Sequence, residues 1–232
     1  MVKHHKRQFL AALISSIFML GATTAVGQHL GEEEPGVAQV VVNKDAPSAT
    51  AKETTQWLLK NESAPEGWLM PGKDYANTRF SELKQIDSKN ASKLRVAWTF
   101  STGALRGHES APLVVGDTMY LITPFPNYVY AIDLKNPDQI KWKFEPHPDE
   151  ASIGVACCDT VNRGVFYADG KIVFNTLDGV VYALNAETGD KIWSAKNAYP
   201  SVGETMTNAP IVVNDRVIVG VSGGEFGIRG RL

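Results

Sequence analysis

The clearest pattern along the chain is a repeat of short apolar strands separated by polar turns. The segment from Asp117 to Trp142, DTMYLITPFPNYVYAIDLKNPDQIKW, aligns with the segment from Asp169 to Trp193, DGKIVFNTLDGVVYALNAETGDKIW, at an offset of about 52 residues. In both copies a polar turn leads into an apolar strand, a second strand contains Val-Tyr-Ala, and a last short strand ends in tryptophan. A third copy begins at Asn214 with NDRVIVGVSGG, and LRVAWTF around Trp98 resembles the last strand of an earlier copy.

Short strands with Gly, Asn and Asp turns at a period near 50 residues are typical of propeller blades of four antiparallel strands. We therefore predict an all-β fold, a β-propeller of tryptophan-motif blades, in which the recurring Ala-x-Asp/Asn…Gly-x-x-x-Trp packs neighbouring blades together. A β-sandwich is the structural alternative, but sandwiches do not repeat a tryptophan at blade spacing. Closed propellers commonly have about four to eight blades, so we expect this chain to form only the N-terminal blades of a larger propeller.

The first residues predict export from the cytoplasm. MVKHHKRQ is a basic start, and the apolar stretch Phe9–Gly27 ends in small residues. Cleavage after Gly27, with Ala25 at the −3 position, fits a signal peptide over residues 1–27 and a periplasmic location. An uncleaved membrane anchor is the alternative, but the apolar stretch is short for a spanning helix.

The segment after the predicted cleavage site has little capacity to form a core. Residues 28–60 contain GEEEPG, two prolines and many small residues, which predicts a flexible leader. Within it, TTQWLLKNE predicts a short helix capped by Thr54 or Thr55. We place the start of organised structure near Asn61, so that residues 61–232 form the propeller part.

The composition limits the possible partners of the protein. A chain of 232 residues with 44% hydrophobic residues is long enough to bury a core. Its formal net charge of −2 gives no reason to expect a nucleic acid as a partner. Export to an oxidising compartment predicts that cysteines are joined in disulfides.

The only two cysteines, Cys157 and Cys158, are adjacent in the chain. A disulfide between neighbours closes no loop, so it adds almost no entropic stabilisation, and its ring is strained because consecutive Cα atoms lie only ~3.8 Å apart. Two buried free thiols are the alternative. A bond that does not stabilise the fold is better suited to form a rigid, polarisable surface on which a flat aromatic ligand rests.

The cysteine segment GVACCDTVNRGVFYADGK resembles the cofactor segment of the quinoprotein alcohol dehydrogenases, the periplasmic methanol and ethanol dehydrogenase family that uses pyrroloquinoline quinone (PQQ). The resemblance covers nearly all of the chain after the leader and includes, in order, NTRFSELKQIDSKNASKLRVAWTF, GALRGHESAPLVVGDTMYLITPFPN, VGETMTNAP and SGGEFGIRG. TPFPN and CCDTVNRG resemble the methanol dehydrogenase branch, and SGGEFGIRG resembles its lanthanide-dependent members. Propellers of this family have eight blades.

The resemblance implies roles for the cysteine segment. In the family a disulfide corresponding to Cys157–Cys158 lies flat against one face of the quinone. Arg163 corresponds to an arginine beside the reactive quinone oxygens, where a guanidinium stabilises the negative charge that develops on reduction. A purely structural pairing of Arg163 with Asp159 is the alternative.

The resemblance also implies five further contacts with the cofactor. Glu109 matches a carboxylate that hydrogen-bonds the cofactor, and Thr207 matches a hydroxyl bonded to one of its carboxylates. Ser222, Gly223 and Gly224 form a polar turn whose backbone approaches the cofactor closely. Taken alone, Glu109 would be a solvated charge and Thr207 an ordinary strand residue.

Glu225 matches the family's glutamate ligand to the active-site metal. A hard cation, Ca²⁺ or a trivalent lanthanide ion, prefers oxygen donors such as this carboxylate. The alternative for Glu225 is a strand-end carboxylate near Arg229. The resemblance places the catalytic aspartate, the remaining metal ligands and the tryptophan on the other quinone face beyond Leu232, so no catalytic residue is assigned within the chain.

The resemblance implies oxidation of a primary alcohol, most readily methanol, to the aldehyde, with electrons passed to a periplasmic cytochrome c. It also implies a homodimer or an additional small subunit as a possible assembly. The alternatives are a propeller that acts as a non-catalytic scaffold, and a PQQ enzyme for ethanol or another alcohol.

Overall fold

A computed structural model of the chain describes residues 40–42, 51–64, 67–214 and 216–232, with side chains from residue 55 onward. The predicted signal peptide lies outside these residues. Among the helices that are described, none is long and apolar enough to cross a membrane.

The described residues form mainly short β-strands, with one α-helix, α1, at Ala51–Asn61. Four short 3₁₀ turns connect other elements, at Ala91–Lys93, Glu150–Val155, Pro200–Val202 and Gly224–Phe226. The strands are β1 (Val40–Val42), β2 (Leu113–Val115), β3 (Thr118–Ile122), β4 (Val129–Asp133), β5 (Ile140–Phe144), β6 (Phe166–Ala168), β7 (Lys171–Asn175), β8 (Val180–Asn185), β9 (Lys191–Lys196), β10 (Ile211–Val213) and β11 (Arg216–Ile218).

The repeat in the sequence is a repeat in the structure. Strands β2–β5 form one antiparallel sheet in chain order, and β6–β9 form a second, with β1 added beyond β9. Both sheets have a register shift at the same point, between Ala131 and Ile132 in the first and between Ala183 and Leu184 in the second. These alanines belong to the repeated Val-Tyr-Ala and are fully buried. The two predicted blades are therefore confirmed.

Of the two partial copies of the repeat, the third copy forms paired strands and the earlier copy around Trp98 does not, within the described part of the chain. Strands β10 and β11 pair around the turn at Asn214, as the third copy predicts. The LRVAWTF segment, by contrast, pairs with no strand among the described residues, and its Leu94 and Val96 are 57% and 80% exposed. Within the described residues, this segment therefore does not form the strand that the sequence suggests.

The first two sheets pack face to face through the tryptophan motif. The Trp142 ring in β5 lies against Gly189 in the turn between β8 and β9, and Trp142 Nε1 donates to the Ala186 carbonyl at 3.0 Å. Tyr120 donates to the same carbonyl at 2.9 Å, and burial raises the pKa of Tyr120 to about 12. Gly189 has φ of +79°, and a Cβ there would lie 2.7 Å from the Trp142 ring. The predicted packing role of the motif is confirmed.

Helix α1 lies within the segment predicted as the leader. Leu58 is completely buried in a core cluster with Leu69, Met206 and Phe166, the first residue of β6. Burial of a leucine fixes the helix to the folded part of the chain. Organised structure is thus present at residues 51–60, within the segment predicted as a flexible leader with a short helix.

Two further details of the leader differ from the prediction. The helix begins at Ala51, ahead of the predicted caps, and the Thr55 hydroxyl instead accepts the backbone N–H of Asn214 at 2.7 Å. Strand β1 pairs antiparallel with β9, with Val41 opposite Ser194. Apart from these segments, the predicted leader lies outside the described residues.

Candidate functional site

The turn that carries the cysteines has an unusual backbone. The structure joins Cys157 and Cys158 by a disulfide. Cys158 and Asp159 both have left-handed φ angles, +63° and +75°, which non-glycine residues rarely adopt in succession. The Asp159 carboxylate holds the turn by accepting the backbone N–H groups of Thr160 at 2.7 Å and Gly107 at 3.3 Å. Strained turns of this kind persist where surrounding contacts fix them, and they cluster at functional sites.

The Asp159 carboxylate is charged and has its own cation. Its hydrogen bonds from Thr160 and then Gly107, together with the charge of Arg106, hold the pKa of Asp159 below its usual value. Arg106 Nη1 lies 3.5 Å from the Asp159 carboxylate. The partner of Asp159 is thus Arg106, and the alternative pairing with Arg163 is wrong.

Four of the predicted cofactor residues form one polar network. Arg163 Nη2 lies 3.1 Å from the Glu109 carboxylate, and its Nη1 donates to the Thr207 hydroxyl at 2.9 Å. The Thr207 hydroxyl lies 3.2 Å from the Ser222 hydroxyl. The side chains of Arg163 and Glu109 are 51% and 47% exposed, so the network has an open face.

The network forms where the first strands of successive sheets begin. Ala111 bridges to Gly164 in parallel, and the Arg163 backbone N–H donates to the Thr207 carbonyl at 3.1 Å. Asn162 is fully buried and fixes this arrangement, donating to the Asn175 carbonyl at 2.8 Å. The segments before β2, β6 and β10 therefore lie side by side, and each contributes a side chain to the network.

Ser222 and Gly223 begin the loop that carries the last predicted site residues. Ser222 bridges antiparallel to Thr205, which places its hydroxyl at the network. Gly223 has φ of +127°, and a Cβ there would lie 2.5 Å from the Gly203 carbonyl, so this close approach requires glycine. A Cβ on Gly224 would meet nothing within 4 Å, so space remains open above this residue.

Glu225 lies beside the disulfide. A Glu225 carboxylate oxygen and the two sulfur atoms of Cys157 and Cys158 all lie within 4.8 Å of one another. Metal ions bind thiolates, and sulfurs joined to each other in a disulfide are not thiolates. Among these three residues, the Glu225 carboxylate alone offers a donor suited to a hard cation.

The nine residues predicted for the cofactor and metal thus fall into two groups, the Arg163 network and the pair of disulfide and Glu225, which the segment Ser222–Glu225 connects along the chain. The Arg106–Asp159 pair lies beside the disulfide, at the turn that carries it. The sequence motifs assign Arg106 no role, and they suggest Asp159 only as an alternative partner of Arg163. The repeat length was the available signal, because Gly107 and Arg106 precede Asp159 by 52 and 53 residues. Residues about one repeat apart occupy neighbouring positions in adjacent blades.

Known proteins share this architecture. A family model described as glucose/ethanol/alcohol dehydrogenase, β-propeller domain (PQQ) matches residues 68–226. The chain is 58% identical over 176 residues to a lanthanide-dependent methanol dehydrogenase of Methylacidiphilum fumariolicum, covering 75% of this chain and 29% of that protein. It is 50% identical over 181 residues to methanol dehydrogenase [cytochrome c] subunit 1 of Methylorubrum extorquens, again covering 75% and 29%. A solved europium-containing methanol dehydrogenase superposes with a TM-score of 0.74 at 57% identity, covering 76% of this chain and 31% of that one.

The stacked four-stranded sheets are therefore blades of a β-propeller, as predicted. The chain belongs to the PQQ family of glucose/ethanol/alcohol dehydrogenase β-propeller domains. It spans 29% of the length of the two lanthanide-dependent methanol dehydrogenases that it matches, so it covers part of a propeller.

Proposed function

We propose that the full-length protein is a PQQ-dependent dehydrogenase that oxidises a primary alcohol, methanol, to the aldehyde. The observation that carries this proposal is the joining of Glu109, Arg163, Thr207 and Ser222 into one open polar network. The names of the relatives, methanol dehydrogenases at 58% and 50% identity, support the substrate class.

The chemistry of the residues fits PQQ, a flat quinone that carries carboxylates. A guanidinium and two hydroxyls suit its anionic oxygens, and the Cys157–Cys158 disulfide offers a polarisable surface for one ring face. When bound, the quinone and its metal ion supply an electrophilic centre that accepts hydride from the alcohol carbon.

Arg163 has the main electrostatic role among the residues of this chain. Glu109 and Thr207 orient its guanidinium from two sides, at 3.1 and 2.9 Å, so the positive charge is held in place before the reaction. Charge that is already oriented needs no reorganisation when negative charge develops nearby, which is the usual source of electrostatic catalysis.

Glu225 holds the metal ion in this proposal. The open space at Gly224 and the position of the Glu225 carboxylate beside the disulfide support Glu225 as the residue that would hold a cation. The names of the relatives favour a trivalent lanthanide over Ca²⁺. We assign the base that removes the hydroxyl proton to residues outside 1–232, as the family resemblance implies.

The electron acceptor and the compartment belong to the same proposal. Relatives named methanol dehydrogenase [cytochrome c] subunit 1 support a cytochrome c as acceptor and an additional subunit as a partner. The basic, then apolar, first 27 residues support export to the periplasm, where the cysteines would be oxidised.

Activity of the reconstituted protein tests the proposal. Full-length protein is loaded with PQQ and either La³⁺ or Ca²⁺, and reduction of an artificial electron acceptor is followed with methanol and, separately, ethanol. We expect methanol-dependent turnover with La³⁺ that is lost in Glu225→Gln, whereas Lys135→Gln, at an exposed ion pair with Asp117, leaves it unchanged. No alcohol-dependent reduction with either metal would overturn the proposal.

A further inference from the structure

Glu225 lies in a loop that is closed at its base. The Glu225 loop, Val221–Arg231, begins and ends at a backbone hydrogen bond from the Val221 N–H to the Arg231 carbonyl, at 3.3 Å. Next to this bond, Ser222 and Thr205 exchange two hydrogen bonds, at 2.8 and 3.2 Å. The first bond joins the two ends of the loop to each other, and the second pair attaches its N-terminal end to Thr205.

Within the loop, the backbone is held by its own hydrogen bonds. The Gly223 carbonyl accepts from the N–H groups of Phe226 at 2.9 Å and Ile228 at 3.2 Å, and the Gly227 N–H donates to the Gly224 carbonyl at 3.1 Å. These bonds fix the conformation of the residues on either side of Glu225. The position of Glu225 is consequently set by how the base of the loop is fixed.

An ion pair with a buried carboxylate fixes that base. Both terminal nitrogens of Arg231 donate to the two carboxylate oxygens of Glu204, with Nη2 to Oε2 at 2.9 Å. Arg231 Nη2 also donates to the Asn197 carbonyl at 2.7 Å, and Glu204 Oε2 accepts the Tyr199 N–H at 3.0 Å. The Glu204 side chain is only 5% exposed. The pair thus joins the end of the Glu225 loop to residues 197–204.

The pair is suited to setting geometry more than to adding stability. Burying a carboxylate costs desolvation energy that the partner charge only repays when the contacts are well aligned. The two parallel hydrogen bonds of a guanidinium fix both the distance and the plane of the carboxylate. Glu204 directly precedes Thr205, which bonds Ser222, so the same short segment positions both ends of the loop.

We propose that Glu204 and Arg231 form a positioning pair that holds the Glu225 carboxylate beside the disulfide and thereby sets the affinity of the site for its metal ion. This inference rests on the proposed function, in which Glu225 is a metal ligand. Neither Glu204 nor Arg231 contacts the ion; both act through the base of the Glu225 loop.

Binding of Eu³⁺ to the full-length, PQQ-loaded protein tests the inference. The dissociation constant comes from the luminescence of the bound ion, and its luminescence lifetimes report how many water molecules remain on it. For Arg231→Lys and Glu204→Gln we expect binding weakened by about 10- to 100-fold, the usual effect of losing a residue that orients a metal ligand, and more water on the ion. Arg231→Met is expected to show a larger loss than Arg231→Lys, which keeps the charge.

A matched control separates positioning from general stability. Lys171→Met removes another ion pair, between Lys171 in β7 and Asp169 in the turn before it, whose side chains are 22% and 30% exposed. We expect it to lower the unfolding temperature without changing Eu³⁺ affinity. Glu225→Gln tests whether the measured ion binds at Glu225. If this variant binds Eu³⁺ as tightly as wild type does, the metal role in the proposed function fails, and this inference fails with it. If the affinity does depend on Glu225 but Arg231→Lys and Glu204→Gln bind Eu³⁺ as wild type does, the positioning role alone is overturned.

Discussion

Three successive blades supply Arg163 and the two side chains that contact its guanidinium. Glu109 precedes the first strand of one blade, Arg163 that of the next, and Thr207 that of the third. Because each partner comes from a different sheet, the orientation of the guanidinium depends on how the blades pack. The site is thus a property of the blade interface, and a single blade would not form it.

Asp159 gives a prediction about pH. Its folded pKa is below its value in the unfolded chain because Thr160 and then Gly107 donate to the charged carboxylate, with Arg106 nearby. A lowered folded pKa adds stability that is complete above the unfolded pKa, about 3.9, and is lost as the pH falls through the folded pKa. We therefore expect wild type to exceed Asp159→Asn in free energy of unfolding by a constant amount above about pH 5.

Urea denaturation of both proteins between pH 3 and pH 7 measures this difference. The difference in free energy of unfolding should shrink as the pH falls below about 4. The Asp159 carboxyl of wild type is then protonated, first in the unfolded chain and at lower pH in the folded protein. Asp138→Asn, an exposed substitution in the turn between β4 and β5, serves as the control. A difference for Asp159→Asn that stays constant or grows at low pH would show that the hydrogen bonds to its charged form do not stabilise the turn.

Among the elements, strand β5 and the turn between β8 and β9 are coupled through Trp142. Gly189 contacts the Trp142 ring and needs a positive φ, so Gly189→Ala introduces both backbone strain and a clash. Gly170, in the turn between β6 and β7, also has a positive φ, +66°, but a Cβ there would meet nothing within 4 Å. Alanine at Gly170 therefore measures the cost of backbone strain alone, and alanine at Gly189 measures strain together with the clash against Trp142.

We predict that Gly170→Ala destabilises the protein by roughly 1–2 kcal/mol, the cost of a left-handed alanine, and Gly189→Ala by about 3 kcal/mol or more. The urea midpoints of the two variants and wild type measure the costs. Equal losses for the two variants would mean that Trp142 moves freely away from Gly189, and the proposed coupling of the blades by the tryptophan motif would be wrong.

The sequence predicted the blades well because their strands repeat and their alanines, glycines and tryptophans are required by packing between blades. It failed at the start of α1, since the threonines that suggested a cap lie inside the helix and Thr55 bonds a distant turn. It also failed at LRVAWTF, whose pattern is that of a strand although no described strand pairs with it. Local patterns do not reveal which partner an element finds.

For the candidate site, residue identities were predictable and their partners were not. The nine predicted residues came from resemblance, whereas the Arg106–Asp159 pair and the Glu204–Arg231 pair depend on three-dimensional contacts between segments 53 and 27 residues apart. The first separation is about one repeat and can be anticipated. The second joins the base of a loop to its neighbouring segment, for which no periodic signal exists.

At the scale of the whole molecule, the described residues are part of a propeller. The chain spans 29% of the length of its lanthanide-dependent relatives. Several large apolar side chains between residues 80 and 105 are exposed, among them Phe80, Ile86, Val96 and Leu105 at 65%, 61%, 80% and 100%. We expect further blades of the full-length protein to cover this surface, since closure of the ring is how propellers protect strand edges.

We propose that the disulfide, the Arg163 network and Glu225 form one wall of a site for PQQ and a metal ion. The most direct measurement is a crystal structure of the full-length protein with PQQ and Eu³⁺, with the ion located by its anomalous scattering. We predict a europium peak at roughly 2.3–2.6 Å from a Glu225 carboxylate oxygen, a distance usual for large hard cations, and the quinone plane lying on Cys157–Cys158. A europium peak away from Glu225, or a quinone bound apart from the disulfide, would contradict the account.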